Sequence, residues 1–109
     1  MVKIFISQPM GGRTKEEILS ERSKAISILK NDIEFLGQNI EIADSYFENY
    51  KPDNGCVPLK HLAKSIELLA DADILLCIGD WENARGCKIE HECAKEYGIK
   101  IMYQCKECK

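Results

Sequence analysis

One carboxylate and one glycine-rich turn carry most of the chemistry this sequence offers. Glu90 follows Gly86 by four positions in a helically patterned segment, so both share one helix side with Ala94. The small residues leave room for the carboxylate to face a crevice. A carboxylate so placed can attack an anomeric carbon, as in retaining glycoside hydrolysis, or bind ribose hydroxyls. The plain alternative is an exposed helical glutamate. Glycosidic chemistry also needs a second group to protonate the leaving base. Just upstream, Asp80 and Trp81 follow a strongly apolar run. An indole there can stack on a base, a contact worth ~1–3 kcal/mol, or pack on a neighbouring loop or subunit. Arg85 is placed to pair with a phosphate, with Glu82, or with solvent alone.

The turn is Ser7-Gln8-Pro9-Met10-Gly11-Gly12-Arg13. Its glycine pair can take positive φ or let a ligand approach the backbone closely. It leads into a helix N-terminus, where free N–H groups and the helix dipole favour an anion. A phosphate is the natural ligand, with Arg13 as its partner. A tight strand–helix turn without any ligand has the same composition. The pair fits neither Gly-x-Gly-x-x-Gly nor a P-loop. Asp44 and Tyr46 begin a polar-aromatic loop and can line the same site, whereas His91 and Glu92 read as outward or interface residues and His61 as a residue of an exposed helix without a role.

Six cysteines are many for a chain without a secretory pattern. Cys77 sits inside an apolar run and reads as a small buried hydrophobe. Cys105 and Cys108 form a Cys-x-x-Cys on a charged tail, residues 105–109, with no helix after it. That context does not suit a redox motif, and Cys56, Cys87, His91 and Cys93 add no recognised zinc spacing. The expectation is no metal, no cofactor, and thiols in a reducing compartment.

The elements that must position these groups follow in chain order. Residues 2–7 read as a buried strand. Thr14-Lys15-Glu16-Glu17 fits a capping box opening a helix whose inward positions are Ile18, Arg22, Ala25, Leu29, Ile33 and Leu36, with Gly37 as its stop. Residues 38–43 form a second strand, and 44–55 a long loop of the kind that is usually functional or mobile. Pro58 starts a second helix with Leu59, Leu62, Ala63, Ile66, Leu69 and Ala70 on its apolar face. Residues 73–79 are the most apolar run and read as a central strand. A third helix spans about 84–97 with Ile89, Cys93 and Tyr97 as its apolar stripe, and a fourth strand covers 99–103.

This βαβαβαβ pattern predicts an α/β fold with a small, doubly wound parallel sheet. Right-handed crossovers then favour the flavodoxin-like strand order 2-1-3-4. Ligands bind beyond the carboxyl ends of strands at the switch point, here between strands one and three. Topology therefore brings the turn at 7–13 and the segment 79–86 together.

A chain of 109 residues is read as one domain, 1–109. At this size only about two-thirds of the unfolded surface is buried, so an oligomer interface would add stability. A net charge of −3 gives no basic footprint for nucleic acid polymers, and no run approaches the roughly 20 apolar residues of a membrane span. The N-terminus enters a strand at once, without room for a signal peptide, which predicts a cytosolic protein.

These residues resemble the nucleoside 2-deoxyribosyltransferase-like superfamily, in particular its small phage and bacterial branch, and the related 2-deoxynucleoside 5′-monophosphate N-hydrolases. Gly11-Gly12-Arg13 is similar to the hydrolases' phosphate-binding turn, and Asp73 with the following strand to the superfamily's third strand. Gly86-x-x-x-Glu90 is similar to its glycine-then-glutamate signature, and Gly-Asp-Trp-Glu-Asn-Ala-Arg-Gly looks like a hallmark of the small branch. The resemblance implies a deoxyribosyltransferase-like fold, a nucleophilic role for Glu90, and a nucleoside or nucleotide ligand. It also implies a homo-oligomer with sites near subunit interfaces, in a bacterial or phage-infected host cytosol. Two positions depart from it. The superfamily's acid aspartate, on the preceding helix, is matched by Ser65, and another aspartate by Ala84. Two functions follow. One is cleavage or transfer at an N-glycosidic bond, by a deoxyribosyltransferase or deoxynucleotide N-glycosidase. The other is a non-catalytic protein that sequesters a signalling nucleotide, as in phage counter-defence.

Overall fold

The computed structural model describes residues 2–32, 37–43 and 54–104. Its sheet contains β1 (Val2–Ser7), β2 (Ile40–Ile42), β3 (Ile74–Ile78) and β4 (Lys100–Gln104), all parallel, in the order β2-β1-β3-β4. The helices among the described residues are α1 (Lys15–Lys30), α2 (Val57–Leu69) and α3 (Arg85–Glu96), with a 3-10 turn at Trp81–Asn83 before α3. The order predicted from alternating elements and right-handed crossovers is the one found.

Strand periodicity divides the core into two layers. Ile4 and Ile6 of β1, with Ile74, Leu76 and Ile78 of β3, pack against Ala25 and Leu29 of α1. Phe5, Leu75 and Cys77 pack on the other face, with Leu69 of α2 and Ala94 of α3. All five residues of β3 are buried, as befits a central strand covered on both faces. Asp73 fixes the entry to β3: its N–H donates to the Lys3 carbonyl at 2.8 Å, and its carboxylate accepts from the Lys3 N–H at 2.9 Å. No helix among the described residues is long and apolar enough to cross a membrane.

The capping box at α1 is present in full. Thr14 Oγ1 accepts from the Glu17 N–H at 3.1 Å, and Glu17 Oε1 from the Thr14 N–H at 2.9 Å. The helix ends earlier than its apolar spacing suggests. Asn31 caps it, donating through Nδ2 to the Ser27 carbonyl at 3.0 Å, and Ile33 and Leu36 lie outside the described residues. On α2, Leu69 is buried, but Leu59, Ala63 and Ala70 are exposed. Of the stripe predicted for α3, Tyr97 is 84% and Ile89 39% exposed, while Cys93 is half-buried against the core. The inward residues of α3 are Cys87, Glu90 and Ala94. A helix pressed closely onto β3 presents small side chains there, and hydrophobicity alone does not reveal that face.

Candidate functional site

β1 and β3 end side by side, with Ser7 opposite Cys77 in register. Alternation along β1 sends Ser7 toward the α3 face and the next residue, Gln8, toward α1. Ser7 Oγ donates to Glu90 Oε1 at 2.6 Å, and both residues are buried. Gln8 Nε2 donates to the Ile18 carbonyl at 2.7 Å and to Glu21 Oε1 at 3.0 Å. The amide nitrogen thus has two acceptors, which fixes its orientation. Gln8 Oε1 is buried without a hydrogen-bond donor among the described residues.

A cleft of about 1020 Å³ opens above these strand ends. Its volume is at the upper end for small-molecule sites, which run to about 1,000 Å³. Gln8, Pro9, Met10, Gly11 and Arg13 form one wall. Asp80, Ala84, Arg85, Gly86, Cys87 and Glu90 form another. The α2 helix closes the third side with Pro58, His61, Leu62 and Ser65. The two segments expected to converge therefore do so, and Glu90 lies where they meet.

Glu90 is 7% exposed. Loss of solvent pushes its carboxyl from the ordinary 4.5 up to about 7, although hydrogen bonds from Ser7 and Ser65 oppose the shift by favouring the charged form. A buried carboxyl that titrates near neutrality in a cleft is a functional-site signature. Cys87 also lines the cleft, but burial raises its thiol to about 11, and that of Cys77 to about 12. Neither supplies a thiolate nucleophile at neutral pH. No cluster of His, Cys, Asp or Glu among the described residues is arranged to hold a metal.

The glycine turn is less available to an anion than its sequence suggests. Gly12 takes φ +72°, and open space surrounds both glycines, so a ligand has access to the backbone. The guanidinium of Arg13, however, is engaged: Nη1 donates to Glu21 Oε1 at 2.7 Å and to the Pro9 carbonyl at 3.0 Å. The first turn of α1 is capped by its own Thr14 and Glu17, and Glu17 adds a carboxylate to the cleft. Arg85 contrasts with it. It is the first residue of α3, lines the cleft, is exposed, and has no ion pair among the described residues. No side chain caps the α3 N-terminus.

Trp81 has partners within the chain. Its ring stacks on His91 with centroids 4.6 Å apart and lies 5.6 Å from Tyr103, whose hydroxyl is 2.8 Å from His91 Nε2. Trp81 is not among the residues lining the cleft. Asp80 is at the rim and accepts from Asn83 Nδ2 at 2.8 and 3.0 Å. Asp44, Tyr46 and the Cys105/Cys108 tail lie outside the described residues.

Sequence reasoning missed Glu21 and treated His61 as an outward residue. Glu21 anchors both Gln8 and Arg13 and sits against Gly79, where an added Cβ would approach Glu21 Oε2 to 3.0 Å. Its signal was positional: it follows the inward Ile18 by three residues, on the same helix side. His61 lies one turn before Ser65 on α2, and both face the cleft.

The sheet order and the placement of the helices define an α/β fold of the deoxyribosyltransferase-like kind. A solved structure has this fold: the 2-deoxyribosyltransferase from the psychrotolerant bacterium Bacillus psychrosaccharolyticus, a biocatalyst for nucleoside synthesis. It superposes with a TM-score of 0.66 at 21% sequence identity, over 99% of this chain and 75% of that one. No curated protein sequence matches the chain. The chain belongs to the family described as Domain of unknown function (DUF4406), which matches residues 2–103.

Proposed function

We propose that the cleft binds a nucleoside or nucleotide and that the protein cleaves its N-glycosidic bond, with Glu90 as the nucleophile. The observation that carries this reading is the buried Glu90 carboxyl, held by Ser7 at 2.6 Å on a cleft large enough for such a ligand. The fold shared with a deoxyribosyltransferase supports a nucleoside-related role.

A Glu90 oxygen bonds to C1′ as the C1′–N bond breaks, and the bond's electron pair leaves on the base nitrogen. The base leaves with a proton gained from the site. A water or a second base then attacks C1′ and frees the carboxylate. A water acceptor makes the protein an N-glycosidase of the 5′-monophosphate hydrolase kind; a base acceptor makes it a deoxyribosyltransferase. Ser7 and Ser65 orient the carboxylate and favour its charged, attacking form. A 5′-phosphate has two recognition elements to choose from, the open backbone at Gly11–Gly12 and Arg85 at the start of α3, which has no ion pair among the described residues.

Ser65 also favours a second reading. It is a hydroxyl at the position where the resembling enzymes carry an acidic aspartate, which suits a protein that holds a nucleotide without cutting it. The two readings part in one assay. The protein is incubated with a panel of deoxynucleosides and their 5′-monophosphates, and free base is followed by chromatography. Catalysis by Glu90 predicts base release whose rate rises with pH through about 7, as its carboxyl ionises. Stoichiometric nucleotide binding with no base release at any pH supports the second reading and overturns the first.

A further inference from the structure

An attack by Glu90 on C1′ leaves the departing base in need of a proton, and the walls of the cleft narrow its source. Arg13 and Arg85 remain charged throughout the accessible pH range and make poor proton donors. Both Asp80 oxygens accept from Asn83 Nδ2. The Glu17 carboxyl is held below its ordinary value by the Thr14 backbone N–H, so it stays ionised. The Cys87 thiol is pushed up to about 11, and Ser65 carries only a hydroxyl. Among the described residues lining the cleft, His61 remains, and it is their one imidazole. Imidazole exchanges protons around neutral pH.

Its placement fits the task. Ser65 donates to the Glu90 carboxylate, and His61 precedes Ser65 by one helical turn on α2. Side chains four apart on a helix have Cβ atoms ~5–6 Å apart. The helix thus places the imidazole next to the hydroxyl that contacts the carboxylate, on the same wall of the cleft.

We infer that His61 is the acid that protonates the leaving base. The imidazolium N–H is transferred to the base nitrogen as the C1′–N bond breaks, leaving neutral imidazole. The same imidazole then takes a proton from the attacking water in the second step and is restored. This role rests on the glycosidase reading above, and its test separates the two.

The test compares His61→Gln with the wild-type protein on deoxynucleosides and on p-nitrophenyl 2-deoxyriboside, whose leaving group departs as a stable anion. The expected result is a loss of about 10²-fold in kcat on nucleosides. The p-nitrophenyl substrate loses less than about a tenth of that factor, as expected where leaving-group protonation matters little. The limb of the nucleoside pH–rate profile that rises through about 7, which belongs to Glu90, remains in the variant. Equal losses on both substrates overturn the assignment while leaving Glu90 as nucleophile. If the wild-type protein releases neither base nor p-nitrophenol, the glycosidase reading fails, and the role of His61 with it.

Discussion

Glutamine in place of Glu90 lowers base release by at least about 10³-fold, the scale on which nucleophiles and their partners contribute. Nucleoside affinity stays within a few fold of wild type. The substitution is nearly isosteric, and the amide oxygen still accepts the 2.6 Å hydrogen bond from Ser7. What it removes is the charged oxygen that bonds to C1′. An amide with the same shape fills the same space, so a loss of rate without loss of binding isolates the chemistry. Chromatographic assay of free base, alongside calorimetric titration with the same nucleoside, provides both numbers. A variant that keeps more than roughly a tenth of the wild-type rate places the nucleophile elsewhere.

The same substitution stabilises the fold at alkaline pH, by an amount set by how the folded chain holds the Glu90 proton. In the unfolded chain the carboxyl ionises near 4.5, and in the fold near 7. Below the lower value both states are protonated and the group costs nothing. Between the two values the folded state binds more protons than the unfolded state, so stability falls as pH rises. Above the upper value the full cost remains, about 3 kcal/mol at ~1.36 kcal/mol per pH decade. Glutamine carries no such charge. Glu90→Gln is therefore more stable than wild type by about 3 kcal/mol at pH 8, and equal to it at pH 4. Urea unfolding at a series of pH values measures the difference. A constant difference across pH would mean that Glu90 ionises normally in the fold. This cost is of the kind that functional sites impose on stability.

The fold was legible because its strongest signals are local. The apolar run ending at Ile78, the capping box at Thr14 and the alternation of element types sufficed to order the sheet. The convergence of Ser7 and Glu90 was legible through topology, since their 83-residue separation leaves no local trace. Other features depended on tertiary packing. Tyr97 and Ile89 are apolar but exposed, because close approach of α3 to β3 gives the inward places to Ala94, Cys87 and Glu90. Arg13 read as a phosphate partner because nothing in the sequence marks Glu21, eight residues on in α1, as the carboxylate that holds it. Trp81 read equally as a platform for a base and as a packing residue, and its ring lies against His91 and Tyr103. His61 is only half-buried, and its role depends on which way α2 faces.

The central claim is that Glu90 becomes bonded to the sugar. It is tested by mixing the protein with a 2-deoxynucleoside, quenching rapidly in acid, and mass-measuring the intact chain and its peptides. The account predicts a species heavier by one deoxyribosyl unit, with the added mass on the peptide that contains Glu90 and absent from Glu90→Gln. Base release without any such adduct on Glu90, or an adduct mapped to another residue, would contradict it.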